Sequence, residues 1–124
     1  LYRLRGAEVL LYPSAIGSEP EFPEFDTQPL WQQVILGHAI ANGLHMVVAN
    51  RVGCETHSGT TVEFFGSSFI ADPYGRVLAS APRDEPAVLV ADLDLNAGDD
   101  WLALFPLLSS RRPELYGDLA VPES

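Results

Sequence analysis

The chain has 124 residues and a formal net charge of -10, and all seven of its lysine-plus-arginine positions are arginine. This length allows one hydrophobic core, so we expect a single domain over residues 1–124. The acidic balance argues against a nucleic-acid partner, since phosphate binding requires clustered lysine and arginine. No run approaches the roughly 18 apolar residues of a membrane span, and no charged-then-apolar leader precedes the first strand. We therefore expect no membrane partner and a cytoplasmic location.

The first predicted elements are a helical turn and a strand. Residues 1–6 read as the last turn of a helix, which closes on Gly6. Residues 9–11 form a short apolar run that stops at Tyr12 and Pro13, which predicts a strand buried on both faces. A small-residue loop, residues 14–18, follows this strand and ends in Glu19. Because function is often placed in loops after buried strands, this loop is a candidate wall of an active site.

The next predicted elements are a helix and a second buried strand. Pro29 suits the first turn of a helix, and an apolar stripe continues from there until Gly43 ends it. Residues 44–49 are again almost entirely apolar. This order of strand, helix and strand indicates an α/β fold.

The second half of the chain predicts antiparallel pairing. A polar loop at residues 55–61 leads into a strand at residues 62–71. The sequence Asp72-Pro73-Tyr74-Gly75 has type I turn preferences and predicts a hairpin, whose second arm is residues 76–81. Residues 87–94 predict a third strand, which would complete a meander. The part of the chain after residue 94 predicts a short helix and a tail.

The histidines and the single cysteine are the candidates for metal binding and for nucleophilic chemistry. The three histidines, His38, His45 and His57, lack paired ligand spacing, so no metal site is predicted. Cys54, the only cysteine, lies beside Glu55, which would disfavour its thiolate if the two groups are close. No phosphate loop, dinucleotide fingerprint or hydrolase serine motif is present.

Two charged residues after the buried strands remain as candidates. Glu19 is either a carboxylate that faces a ligand's cationic group or a solvated loop residue. Arg51 follows the second buried strand, and it either orients a ligand carboxylate or pairs with Glu55. Residue types alone leave both choices open.

An ordered set of motifs resembles a known family. The segments GAEVLLYPSAIGSEP, W-QQVILGHAIAN-G, VVANRVGCE, FFGSSFIADPYGRVLA and RRPELY occur in this order. Together they are similar to the C-terminal part of the nitrilase superfamily of carbon–nitrogen hydrolases and, within it, to the N-carbamoylputrescine amidohydrolase family. The similarity is weakest over residues 96–110.

The resemblance implies a fold and a mechanism. The fold would be part of an αββα sandwich, and pairing of such sandwiches would make the protein a homo-dimer or a higher homo-oligomer. The mechanism would need no cofactor: a cysteine thiolate attacks a carbamoyl or amide carbon, a glutamate transfers protons, and a lysine helps to hold the oxyanion. The partner would be a small-molecule substrate, a carbamoylated or amidated amine.

The same resemblance implies that the catalytic residues lie upstream of this chain, because the chain has no lysine and Cys54 is not in the family's cysteine motif. What carries over is the substrate side of the pocket. Glu19 becomes the candidate anchor for a substrate ammonium group, and Ala15, Ile16 and Gly17 would line the same wall. Asn50, Arg51 and Glu55 are second candidates. A non-catalytic interaction or structural module with nitrilase-like layers is the alternative hypothesis.

Overall fold

The structure is a computed structural model and describes residues 1–117, so the end of the predicted domain lies outside the described residues. Its helices and strands in chain order are a 3-10 turn Arg3–Arg5, β1 Val9–Ser14, α1 Gln28–Asn42, β2 His45–Asn50, β3 Val52–His57, β4 Thr60–Phe65, β5 Phe69–Ala71, β6 Val77–Ser80, α2 Ala97–Leu104 and a 3-10 turn Pro113–Leu115. The predicted α/β fold class is confirmed.

The strands form two sheets. The larger sheet has the order β1-β2-β5-β6, and β3 pairs with β4 in a separate two-stranded sheet. β1 and β2 are parallel, with Val9 opposite His45 and Ser14 opposite Asn50. Parallel neighbours need a crossover connection, which α1 and the acidic loop before it, residues 19–26, provide. The other pairings, β2 with β5, β5 with β6 and β3 with β4, are antiparallel.

Helix α1 begins and ends where its sequence predicts. Pro29 lies in its first turn, and Gly43 ends it with φ of 61°, donating its N–H to the Ala39 carbonyl. A left-handed residue at this position is the usual glycine cap. Of the α-helices in the described part of the chain, none combines the length and the apolar character that crossing a membrane requires.

The core lies between α1 and one face of the larger sheet. The buried apolar side chains of this cluster come from α1, β2 and β5 and the residue before β2: Ile35, Ala39, Leu44, Met46, Val48, Phe69 and Ala71. Trp31 of α1 packs edge-on against Phe69, with ring centroids 5.9 Å apart, and also contacts Phe65 at 5.5 Å. The helix is therefore held on the sheet by aromatic as well as aliphatic packing.

The prediction that β1 is buried on both faces is wrong for this chain. Leu11 is 73% exposed, although its neighbours Leu10 and Tyr12 pack against the core. β1 is an edge strand of the described sheet, and α1 covers only one face. The strand also continues through Pro13 to Ser14, which an edge position permits because proline lacks a ladder donor.

The predicted polar loop at residues 55–61 is also wrong, because most of it forms the hairpin of β3 and β4, which turns at Ser58 and Gly59. Gly59 has φ of 84°, as a tight turn of this kind requires. The predicted strand over residues 62–71 is interrupted at Gly66, so its two halves belong to different sheets.

The predicted third strand at residues 87–94 is not formed within residues 1–117. Alternate side chains of this segment do point outward, and Val88 and Val90 are 92% and 84% exposed. Over the described residues, however, no backbone hydrogen bond joins residues 87–93 to another segment. The prediction is wrong because apolar residues alone do not make a strand, which also needs a neighbour, and residues 1–117 supply none.

The predicted hairpin at residues 72–75 is confirmed, and a buried carboxylate stabilises it. Gly75 donates its N–H to the Asp72 carbonyl at 3.0 Å, and β5 and β6 pair on either side. Asp72 is only 4% exposed. Its Oδ1 accepts hydrogen bonds from the backbone N–H of Tyr74 at 2.9 Å and of Arg76 at 3.0 Å, and its Oδ2 accepts one from Arg76 Nε at 2.6 Å.

Replacing Asp72 by alanine should lower the free energy of unfolding of the full-length protein by roughly 2–4 kcal/mol, because three N–H donors in the turn lose their buried, charged acceptor. Chemical denaturation measures this loss. Asp84→Ala is the control, since Asp84 is an exposed acid in the next turn, and it should change stability by less than about 0.5 kcal/mol. Similar losses in both variants would contradict the role given to the Asp72 carboxylate.

Candidate functional site

The candidate site lies at the edge of the sheet where β1 and β2 both end. Because these strands are parallel and in register, the loop after Ser14 and the residues after Asn50 leave the sheet side by side. Arg51 donates its backbone N–H to the Ser14 carbonyl at 3.1 Å, which extends the pairing by one residue. All the sequence-predicted site residues therefore lie in this region or on the adjoining hairpin.

Asn50 connects the loop after β1 to the turn between β4 and β5. Its Oδ1 accepts a hydrogen bond from the Ile16 N–H at 3.0 Å, and its Nδ2 donates to the Ile16 carbonyl at 3.0 Å and to the Gly66 carbonyl at 2.9 Å. Ser68 Oγ in turn accepts a hydrogen bond from the Asn50 N–H at 2.9 Å. The amide of Asn50 is thus occupied by backbone groups on three sides.

The other end of the loop is attached to β4. Gly17 forms an isolated bridge with Phe64. Ser18 donates its N–H to the Glu63 carbonyl at 2.7 Å, and Ser18 Oγ accepts a hydrogen bond from the Glu63 N–H at 3.0 Å. A Cβ on Gly17 would lie 2.2 Å from the Glu63 carbonyl oxygen, so only glycine allows this approach.

Glu19 and Ile16 line one cleft of about 520 Å³, which we call the Glu19 cleft. Its other lining residues come from β1, α1 and the residue before α1: Tyr12, Thr27, Leu30, Trp31, Val34, Ile35 and His38. Glu19 is exposed, and among residues 1–117 no side chain forms an ion pair or hydrogen bond with its carboxylate. The cleft is therefore mainly apolar, with one carboxylate free to accept a cation.

Ala15 and Glu55 line a different cleft of about 540 Å³, formed on one face of the hairpin β3–β4. The remaining lining residues all belong to that hairpin: His57, Ser58, Thr60, Val62 and Phe64. The structure thus divides the predicted wall, since Ile16 and Glu19 face the Glu19 cleft while Ala15 faces the hairpin. Gly17 lies between the two clefts, with its backbone against β4.

Arg51 is engaged by the hairpin. It forms an ion pair with Glu55, and its guanidinium lies over the Phe64 ring, 4.2 Å from the ring centroid. Stacking on an aromatic face together with a carboxylate partner is a favourable environment for arginine. Of the two roles that the sequence left open for Arg51, the structure contains the pairing with Glu55.

A third cleft of about 380 Å³ has Ser18 in its lining and is bordered by an ion pair. Arg83 donates to both carboxylate oxygens of Asp26, at 2.8 and 3.0 Å. These hydrogen bonds hold the pKa of Asp26 below its ordinary value, against a smaller opposing effect of burial, and raise the pKa of Arg83. The ion pair therefore stabilises the fold at pH values above the ordinary pKa of aspartate. This stabilisation is lost as the pH falls through the lowered pKa of Asp26.

The histidines and the cysteine are dispersed. His45 is buried in β2, His38 lies on α1, and His57 and the exposed Cys54 lie on β3. Over residues 1–117, no three His, Cys, Asp or Glu side chains are grouped so that they could hold a metal ion.

Sequence reasoning missed the contacts made by two serines. From the sequence, Ser18 is only one of the small residues of the loop, and no contact is predicted for Ser68, yet both form hydrogen bonds that hold the segments around the Glu19 cleft. The signal available for Ser18 was its place directly before Glu19. For Ser68 no local signal exists, because its partner Asn50 lies 18 positions away.

Comparison with known proteins agrees with this architecture. The carbon-nitrogen hydrolase family profile matches residues 1–102. The citrullinase of Francisella tularensis subsp. tularensis is 42% identical over 116 residues, which cover 94% of this chain and 41% of that protein. The N-carbamoylputrescine amidase of Oryza sativa subsp. japonica is 43% identical over 117 residues, which cover 91% of this chain and 39% of that protein. The chain thus spans about two fifths of the length of these relatives.

The fold is also that of a solved relative. A crystal structure of a carbon-nitrogen hydrolase from Helicobacter pylori G27 superposes with a TM-score of 0.86 at 39% identity, over 98% of this chain and 44% of that one. These findings confirm the resemblance to the nitrilase superfamily that the ordered motifs indicate. The chain belongs to the carbon-nitrogen hydrolase family.

Proposed function

We propose that this chain forms the substrate-selecting part of a longer amidohydrolase that cleaves the C–N bond of a carbamoylated aliphatic amine. Homologous enzymes act on C–N bonds, which places the chemistry at the level of the family. The finer assignment concerns the part of the substrate that does not react. In this proposal Glu19 binds an ammonium group at the far end of the substrate.

The observation that carries the proposal is the composition of the Glu19 cleft. Its walls are supplied by apolar and aromatic side chains such as Ile16, Trp31 and Ile35, which suit an aliphatic chain. Among residues 1–117, Glu19 supplies the only carboxylate that lines it. An apolar cleft with a single acid is complementary to an alkyl chain that ends in a cation, because a partly desolvated ion pair is stronger than one in water.

The names of the relatives indicate a substrate class. Citrulline and N-carbamoylputrescine are both ureido compounds in which an aliphatic chain separates the ureido group from an amine. They differ in that citrulline also carries a carboxylate. Arg51 does not line the Glu19 cleft, and the described residues that line it include His38 but no arginine, so they offer no permanent cation for that carboxylate. We therefore propose an amine without a carboxylate, with N-carbamoylputrescine as the first candidate.

The reacting groups would come from outside this chain. In the mechanism implied by the family resemblance, a cysteine thiolate attacks the ureido carbon, and a lysine and a glutamate stabilise the oxyanion and transfer protons. Water then completes the hydrolysis to the amine, ammonia and carbon dioxide. This chain has no lysine, and its only cysteine, Cys54, is exposed on β3. We assign no catalytic residue to it.

The same two features are compatible with a second function, a non-catalytic module that retains the nitrilase layers. The gene sequence upstream of Leu1 discriminates the two hypotheses. A cysteine motif, preceded by a separate lysine and glutamate, supports the enzyme, and the lack of these residues supports the module.

The substrate proposal predicts a preference that kinetics can measure. The full-length enzyme should hydrolyse N-carbamoylputrescine with a kcat/KM at least about tenfold higher than butylurea, which has the same ureido group and four-carbon chain but no ammonium group. Release of ammonia measures both reactions. Equal kcat/KM values, or turnover of neutral amides alone, would remove the assignment to carbamoylated diamines.

Glu19→Gln in the full-length enzyme should raise KM for N-carbamoylputrescine by about tenfold to a hundredfold, because the substitution removes a charge-assisted contact. KM for butylurea should change by less than about threefold. Glu21→Gln is the matched control, since Glu21 belongs to the same acidic loop but does not line the Glu19 cleft. Equal effects of Glu19→Gln on both substrates would dismiss the anchor role.

The 124-residue chain by itself should be inactive on either substrate and should self-associate. Large apolar side chains such as Leu11, Val88 and Val90 are exposed on it, and such surfaces promote association. Activity assays and size-exclusion chromatography with light scattering test the two statements. A stable, monodisperse monomer would contradict the second, and hydrolysis of either compound would contradict the first.

A further inference from the structure

We propose that Asn50 is a positioning residue that, together with Ser18, holds the loop of residues 15–18 so that Glu19 reaches the substrate. This inference rests on the proposed function of Glu19 as the ammonium anchor. It assigns to Asn50 an indirect role, in which the side chain acts on substrate binding through the loop and does not touch the substrate.

The first argument is the hydrogen bonding of Asn50. Its amide contacts both backbone groups of Ile16, accepting from the N–H and donating to the carbonyl, each at 3.0 Å. The remaining Nδ2 hydrogen is donated to the Gly66 carbonyl at 2.9 Å. The Asn50 side chain accepts from the N–H and donates to the carbonyl of the same residue, Ile16. These are the two backbone hydrogen bonds that a neighbouring strand would otherwise provide.

The second argument is that the loop is attached again just beyond Ile16. Gly17 packs against the backbone of β4 with no room for a Cβ, and Ser18 makes two hydrogen bonds with the backbone of Glu63. Three consecutive residues before Glu19 are thus tied to neighbouring strands or turns. The exposed Glu19 side chain therefore projects from a backbone that is held at both attachment points.

The third argument is the chemistry of Asn50, which no close analogue reproduces. Aspartate has the same shape but presents an oxygen where Nδ2 donates, so it would face the carbonyls of Ile16 and Gly66 with a negative charge. Lost donors and repulsion together would release the loop. A residue that only filled space would tolerate this isosteric change.

The test is a double-mutant cycle in the full-length enzyme with Asn50→Asp and Glu19→Gln. The readout is discrimination, the ratio of kcat/KM for N-carbamoylputrescine to that for butylurea. Asn50→Asp should lower discrimination about tenfold when Glu19 is present and leave it unchanged in the Glu19→Gln background, because the two residues act in sequence on one contact. The kcat for butylurea should stay within about twofold of the wild-type value.

Asn96→Asp is the matched control. Asn96 is exposed at the start of α2, and its side chain makes no capping hydrogen bond there. It undergoes the same chemical change and the same change of charge without a contact to the loop. Discrimination should be the same as in the wild type.

Hydrogen exchange measured by mass spectrometry gives a readout that does not depend on the substrate. Amides of residues 16–18 should exchange faster in Asn50→Asp than in the wild type or in Asn96→Asp. If Glu19→Gln leaves discrimination unchanged while loop exchange still rises in Asn50→Asp, the anchor role fails but the attachment of the loop is upheld. Unchanged exchange in Asn50→Asp, or equal losses for both substrates, would overturn the positioning role.

Ser18→Ala keeps the proposal testable if Asn50→Asp does not fold. It removes the oxygen that accepts the Glu63 N–H at an exposed position, and so loosens the second attachment. Discrimination should fall in the same direction by about threefold to tenfold, again only when Glu19 is present. No change in either discrimination or exchange would contradict the proposal.

Discussion

β1 and β2 lie side by side in parallel, with Ser14 opposite Asn50 at their carboxyl ends. This pairing places the loop after one strand beside the last residue of the other, and it is what allows the Asn50 amide to reach Ile16. The crossover through α1 makes the pairing possible, and α1 in turn supplies much of the Glu19 cleft. The register of β1 against β2 therefore determines both the position of the loop after β1 and the surface that faces this loop.

The elements that were predicted correctly are those whose conformation is determined by residues adjacent in sequence. The end of α1 at Gly43 and the turn at residues 72–75 depend on backbone preferences of a few adjacent residues, so the sequence was sufficient to locate them. The hairpin β3–β4 was missed because most of its side chains are exposed, which removes the apolar alternation that marks a half-buried strand. The strand predicted at residues 87–94 is wrong for the opposite reason. Its apolar residues are present, but no neighbouring strand for it is formed by the described residues.

The candidate site was only partly predictable for a related reason. The sequence located the region correctly, because residues after the two parallel strands must meet at one edge. It could not assign the residues to surfaces, so Ala15 was grouped with Glu19 although the structure places them in different clefts. The attachment of Ser18 to Glu63 joins positions 45 residues apart. No local pattern carries such a contact, because it depends on where the hairpin lies in three dimensions.

The close approach of Gly17 to β4 has a consequence for attempts to change what this protein accepts. Libraries that vary a pocket wall usually randomise neighbouring positions together, yet the Glu63 carbonyl leaves no space for a side chain at this one. Ile16 and Glu19, one on either side of this glycine, both line the Glu19 cleft. Diversity should therefore be introduced at those two positions while the glycine between them is retained, so that new side chains are presented by an unchanged backbone.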